Sequence, residues 1–218
     1  MTKPGSPSLD TNPLTARASL KSRLLERVAT TDQGRHASTA QKNDILDLIN
    51  QLEDLNPTPA PTQAAELLSA NWRTLYTTSQ DLLRLSQLLP GYTGGNIYQA
   101  IRADQQQVIN VAEIISSGWL KPLLPAGLVA VVATFTVESE VRVQVSFSRF
   151  VIGAQGPMNY EISSFLALLN HKPESIPALK IDIPPGRQQG WLDITYLDPD
   201  LRLGRGSEGS LFVLEKVT

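Results

Sequence analysis

Three carboxylates, Asp193, Asp198 and Asp200, fall within eight positions of one another, close enough that two chemistries must be weighed. A pair of acids can divide general-acid and general-base work, and an Asp-x-Asp pair can hold a divalent cation. Their neighbours support neither. Asp198-Pro199-Asp200 is a turn sequence whose aspartates can accept hydrogen bonds from their own backbone, and Arg202 and Arg205 follow closely enough to neutralise them. The two histidines, His36 and His171, are far apart and outside any ligand-spaced motif, so a histidine metal site is not expected. The chain has no cysteine, which excludes thiol catalysis, disulfides and cysteine-bound zinc.

Gly204-Arg205-Gly206-Ser207-Glu208-Gly209 fits G-x-G-x-x-G, the pattern in which a glycine turn feeds a helix whose amides hold a pyrophosphate. The context is wrong for it. The next residues, Ser210-Leu211-Phe212-Val213-Leu214, are apolar and β-prone, so the glycines read as a hairpin between two strands. No cofactor is expected. Net charge is −2 with acids and bases interspersed, which leaves no cluster of Lys and Arg to hold nucleic acid. The segment from Met1 to Pro13 is polar and proline-bearing, without the apolar core of a secretory signal. Trp119 to Val137 is the longest apolar stretch, but early prolines and later alternation make a spanning helix unexpected, so the chain reads as soluble or peripheral to a membrane.

The elements that must position these residues follow from periodicity. Leu20, Leu24, Leu25 and Val28 share one face of a helix from about Thr15 to Thr30, ended by Asp32-Gln33-Gly34. Ser38-Thr39-Ala40-Gln41 is a capping box opening a second helix with a buried stripe of Ile45, Leu48, Ile49 and Leu52. Three prolines between Asn56 and Thr62 preclude helix or central strand and mark a linker. A short helical turn at Ala64 to Ser69, a strand at Asn71 to Thr78, and a helix from Ser79 through Leu88 come next. Strands are then expected at Asn96–Ala100, Gln107–Ile114, Leu128–Val137 and Val141–Phe150, with three more between Gly190 and Lys216, and a helix at Tyr160 to Asn170. The clearest pair sets apolar Ala133, Phe135 and Val137 against Val141, Val143, Val145 and Phe147, bending at Ser139-Glu140. Successive antiparallel strands after two helices point to a mainly β fold, a closed or nearly closed antiparallel barrel that removes exposed edges. The expected division is a weakly ordered tail at 1–19, a helical pair at 20–56, a linker at 57–62 and a barrel domain at 63–218.

Thr31-Asp32-Gln33-Gly34, Leu55-Asn56-Pro57-Thr58-Pro59, Trp72-Arg73-Thr74-Leu75-Tyr76-Thr77-Thr78-Ser79, Ile97-Tyr98-Gln99, Asn110-Val111-Ala112 and the block from Gly190 to Lys216 occur in this order. In these motifs, over roughly Leu20 to Lys216, the chain resembles the fibrillins, the plastid-lipid-associated protein family. It departs from the family pattern at Ala70-Asn71, where a glycine-lysine pair is common, and at Ser207, where asparagine is frequent. The resemblance implies a lipocalin-like barrel and a non-enzymatic protein, peripheral to thylakoid membranes or lipid bodies. The short segment before the match favours a cyanobacterial member, at the cytoplasmic face of the thylakoid or in the cytoplasm, or a processed plastid form. It implies a lipid or hydrophobic small-molecule ligand such as a prenylquinone, a carotenoid or a glycerolipid, serving membrane organisation, photoprotection or prenylquinone handling. The alternative is a scaffold that docks an enzyme of isoprenoid or quinone synthesis. An isomerase or hydrolase ranks third, because no cluster of titratable groups supports one.

A carrier of that kind needs a concave apolar lining, for which the candidates are Trp72, Tyr76, Tyr98, Val111, Phe135, Val143, Phe147 and Tyr196. Such side chains equally fill the core of a small barrel. Asp193, Asp198, Arg202 and Arg205 are the polar members of the family block, and the resemblance implies that Asp193 or Asp198 is a lipocalin-like aspartate. Trp119, Leu120, Lys121, Leu123 and Leu124 read as a membrane-contact loop or as a lid over the barrel.

Overall fold

The computed structural model describes residues 12–85, 91–117, 126–154, 178–184 and 189–217. Helix α1 (Pro13–Ala29) opens two residues before the expected start, because Asn12 Oδ1 accepts from the Leu14 amide and Pro13 occupies a first-turn position that needs no N–H. Helix α2 (Thr39–Glu53) carries the expected capping box. The Gln41 amide donates to Ser38 Oγ, and Gln41 Oε1 accepts from the Ser38 amide.

Strands β1 (Asn71–Thr77), β2 (Tyr92–Arg102), β3 (Gln107–Ser116), β4 (Gly127–Val137) and β5 (Arg142–Ala154) come after the helices, then β6 (Ala178–Asp182), β7 (Gln189–Leu197), β8 (Leu201–Gly206) and β9 (Leu211–Lys216). All strand pairings are antiparallel. Eight strands close in the order β1-β2-β3-β4-β5-β7-β8-β9 and back to β1, a lipocalin-like barrel. β6 is the ninth. It pairs with the later half of β5 (Arg149–Gly153), whereas β7 pairs with the earlier half (Arg142–Ser146).

The expected β4–β5 hairpin is present, with Ala133 opposite Phe147, Phe135 opposite Val145 and Val137 opposite Val143, but at its tip Val137 and Val141 of the expected apolar face are exposed. Ser139 Oγ at the bend accepts from the amides of Val141 and Arg142. The glycine-rich stretch is the turn between β8 and β9, a 3-10 turn at Ser207–Gly209 in which Glu208 and Gly209 take positive φ. It opens no helix.

The helix pair lies on the outer face of the barrel. Leu24, Val28, Ile45, Ile49 and Leu52 form one buried cluster with Leu201, Leu203 and Val213 of β8 and β9. The segment between the helices is built into the wall. β1 and β2 pair over only three residues, Asn71–Arg73 against Tyr98–Ala100. Beyond them the loop at Thr31–Arg35 enters: the Thr77 amide donates to the Gln33 carbonyl at 3.0 Å, and Gln33 Nε2 and Arg35 Nη2 both donate to the Gly95 carbonyl. Asp32, Gln33 and Gly34 all have positive φ, and a Cβ on Gly34 would stand 2.3 Å from the Thr77 carbonyl oxygen. Glycine is required there by backbone and by space.

The proline-rich segment is strapped to the barrel. Asn56 Oδ1 accepts from the Leu197 amide, Thr58 Oγ1 donates to the Leu197 carbonyl, and the Thr62 amide donates to the Glu140 carbonyl. It leads into helix α3 (Ala65–Leu68) ahead of β1, while helix α4 (Gln80–Arg84) follows β1, so the two cover opposite ends of the barrel. Leu68 packs with Trp72 and Phe135, and Leu82 and Leu83 pack with Ile97 and Ala112. The expected continuation of α4 to Leu88 and the expected helix at Tyr160–Asn170 lie outside the described residues.

Candidate functional site

Of the eight side chains expected to line the barrel, Trp72, Phe135, Val143 and Phe147 face its interior and pack together. Tyr76 and Tyr196 do not. A bulge between Thr74 and Tyr76 sets Tyr76 opposite Val213, and another between Ile194 and Tyr196 sets Tyr196 opposite Leu203, so both rings turn outward beneath the helix pair. Tyr98 and Val111 are each one position from the inward row, which on β2 carries Gln99 and Ile101 and on β3 carries Val108 and Asn110. They join Ala100, Ile109 and Ala130 in a cluster on the outer face. Trp119, Leu120, Lys121, Leu123 and Leu124 lie outside the described residues.

The polar residues of the C-terminal block separate in the same way. Asp193 is outward: Arg142 Nε donates to its Oδ1 at 2.6 Å and Nη2 to its Oδ2 at 2.8 Å, while the Arg142 guanidinium stacks 4.2 Å from the Trp191 ring centroid. Arg205 is outward too, donating to Glu53 and Asn50 of α2. Asp198 ties α1 to the barrel. Its Oδ1 accepts from the amides of Asp200 (2.8 Å) and Leu201 (2.7 Å), and its Oδ2 from Tyr196 Oη (2.7 Å) and Lys21 Nζ (2.9 Å). Burial alone would raise the Asp198 carboxyl, but the bonds from Tyr196, Lys21 and the two amides outweigh it and hold the group below the usual carboxylate range. Burial, then the neighbouring Asp198, pushes the Tyr196 hydroxyl up. The neutralisation of Asp198 and Asp200 expected from Arg202 and Arg205 is made by Lys21 instead, because successive side chains of β8 point to opposite faces.

That alternation sends Arg202 into the barrel. It is 2% exposed. Its Nη2 donates to Gln99 Oε1, Gln99 Nε2 in turn donates to Asn110 Oδ1 at 2.7 Å, and the guanidinium lies 5.3 Å from the Trp72 ring centroid. Trp72 is held by its own indole N–H, which donates to the Leu68 carbonyl at 3.0 Å. Arg202 Nε and Nη1 have no hydrogen-bond partner, and among the described residues no carboxylate pairs with the group. Burial pushes the guanidinium down to about 9, so it stays cationic at neutral pH. Gln99 and Arg202 are the polar members of an otherwise apolar lining that includes Ile101, Val108, Phe135 and Val145. The free space they bound is about 20 Å³, against roughly 300–1,000 Å³ in pockets for drug-sized ligands. The interior is packed, with Val145, Phe147, Leu192 and Phe212 among its part-buried members.

Gln99, Asn110 and Lys21 were not among the sequence candidates. Gln99 and Asn110 had a readable signal, each being a polar residue on an apolar row, between Ile97 and Ile101 and between Val108 and Ala112. Lys21 had none: 177 residues separate it from Asp198. Among the described residues no three His, Asp or Glu side chains converge as a metal site requires, and no helix is long and apolar enough to cross a membrane.

The PAP_fibrillin family model matches residues 18–215. The chain is 34% identical over 223 residues to a probable plastid-lipid-associated protein 2, chloroplastic, of Arabidopsis thaliana, covering 90% of this chain and 70% of that one. It is 35% identical over 222 residues to a chromoplast-specific carotenoid-associated protein of Cucumis sativus, covering 90% and 67%. To plastoglobulin-1, chloroplastic, of Pisum sativum it is 33% identical over 223 residues, covering 90% and 60%. No solved structure matches.

Proposed function

Since the chain belongs to the PAP_fibrillin family of plastid-lipid-associated proteins, we propose that it is a non-enzymatic, peripheral protein of thylakoid membranes or lipid bodies whose barrel receives the apolar part of a small hydrophobic molecule. The observation that carries this reading is the interior itself. An apolar wall closed by eight strands surrounds a linked set of polar side chains, Asn110, Gln99 and Arg202, the composition of a ligand site and not of a simple core. With about 20 Å³ free, admitting a ligand displaces side chains. Val145, Phe147, Leu192 and Phe212 are part-buried and move at least cost. Prenylquinones, carotenoids and glycerolipids are the classes to test, in the cytoplasm or at the cytoplasmic thylakoid face of a cyanobacterium or the equivalent plastid compartment.

Solvent extraction and mass spectrometry of the protein purified from its own host test the reading. A stoichiometric apolar molecule is expected. Protein that comes out clean and takes up no apolar probe from vesicles refutes it.

A further inference from the structure

A cation enclosed in an apolar interior needs compensating charge or a full set of acceptors, and among the described residues Arg202 has neither. One of its nitrogens donates to Gln99, Trp72 offers only a ring face, and Nε and Nη1 are left without acceptors. Gln99 accepts from Nη2 and donates to Asn110, and being neutral it brings no negative charge. The chain of bonds from Asn110 through Gln99 therefore fixes the guanidinium without neutralising it. Each of the free donors, Nε and Nη1, can give a charge-assisted hydrogen bond to a carboxylate oxygen, which also brings the missing negative charge.

We propose that the barrel selects an apolar molecule ending in a carboxylate, a fatty-acid-type amphiphile, with its head on Arg202. The tail lies along Val143, Val145 and Phe147, where the lining passes from buried to part-buried side chains. Beside Phe147 the partner of β5 changes from β7 to β6, so the wall is weakest where the tail emerges. The inference rests on the proposal that the barrel takes a ligand, and narrows its chemistry. Neutral ligands of the same length leave the guanidinium uncompensated and bind more weakly.

The test compares a fluorescent polyene fatty acid with its methyl ester, titrated into the full-length chain and into the variants Arg202→Met and Arg202→Lys. The expected result is at least a roughly tenfold preference for the acid, lost in Arg202→Met and partly kept in Arg202→Lys. Equal affinity for acid and ester in the unaltered chain overturns the proposal and leaves uptake of apolar molecules standing. A preference that survives Arg202→Met also overturns it, because the head group is then held elsewhere. Failure of both probes to bind the unaltered chain removes this inference and the reading beneath it together. The acid and ester comparison needs no variant, so it decides the question even if Arg202→Met does not fold.

Discussion

Asp198→Asn separates a structural carboxylate from a catalytic one. In the folded chain Asp198 is 7% exposed and gathers donors from Lys21, Tyr196 and the amides of Asp200 and Leu201. Asparagine keeps an oxygen for the two amides and can still meet the Tyr196 hydroxyl, so what it removes is the charge facing Lys21. A charge-assisted bond of this kind contributes about 1.5–3 kcal/mol, and the Lys21 side chain, 20% exposed, recovers some of that from water. The expected loss is about 2 kcal/mol at pH 7, or roughly 1 M in the urea midpoint, followed by tryptophan fluorescence. Lys21→Met should cost a similar amount, and the double variant much less than the sum. Asp200→Asn is the control, since that carboxylate is 80% exposed on its side chain. The pH dependence has a definite sign. The folded carboxyl sits below its unfolded value, so its contribution is complete above the usual carboxylate range near ~3.9 and is lost as pH falls through the lower folded value. The gap between the native chain and Asp198→Asn should therefore close in acid. A difference below about 0.5 kcal/mol at pH 7, or a gap that widens on acidification, refutes the latch.

Gly34→Ala forces a Cβ onto the Thr77 carbonyl oxygen in a left-handed backbone and should cost about 2–4 kcal/mol by thermal melting; a loss below about 1 kcal/mol would mean that the loop does not plug the β1–β2 seam. Ile49→Ala, in the cluster shared by helices and barrel, should cost about 2–4 kcal/mol within one cooperative transition, and calorimetry showing separate helix and barrel transitions would contradict the shared core. Glu53→Gln weakens the tie from α2 to Arg205 and, with that arginine a third exposed, should cost about 1 kcal/mol in urea melts, less at high salt; an effect insensitive to salt would show that charge is not its source.

Much of the architecture could be read from local pattern. The α2 stripe and its capping box, the β4–β5 alternation and the turn at Ser207–Gly209 are all short-range, because helix and strand periodicities act over a few residues. The dinucleotide reading of the glycines could be set aside for the same reason: they lead into a strand, β9, and not into a helix. The interior was less legible. Aromatic character alone placed Tyr76, Tyr98 and Tyr196 with Trp72, whereas the inward polar pair, Gln99 and Arg202, looked like family motif or charge balance.

The amino-acid sequence by itself determined the barrel class, the paired helices and the family, since each depends on periodicity or on long ordered motifs. Tertiary structure alone decided which way the candidate side chains point. A bulge of one residue reverses a strand's faces, and it turned Tyr76 and Tyr196 out beneath the helices. Closure of the barrel then determined the partners. It brought Lys21 to Asp198 across most of the chain and left Arg202, four residues beyond that aspartate, as an uncompensated cation inside. Charges near one another in sequence were separated by a wall of hydrogen-bonded strands, and only closure of that wall divides inside from outside.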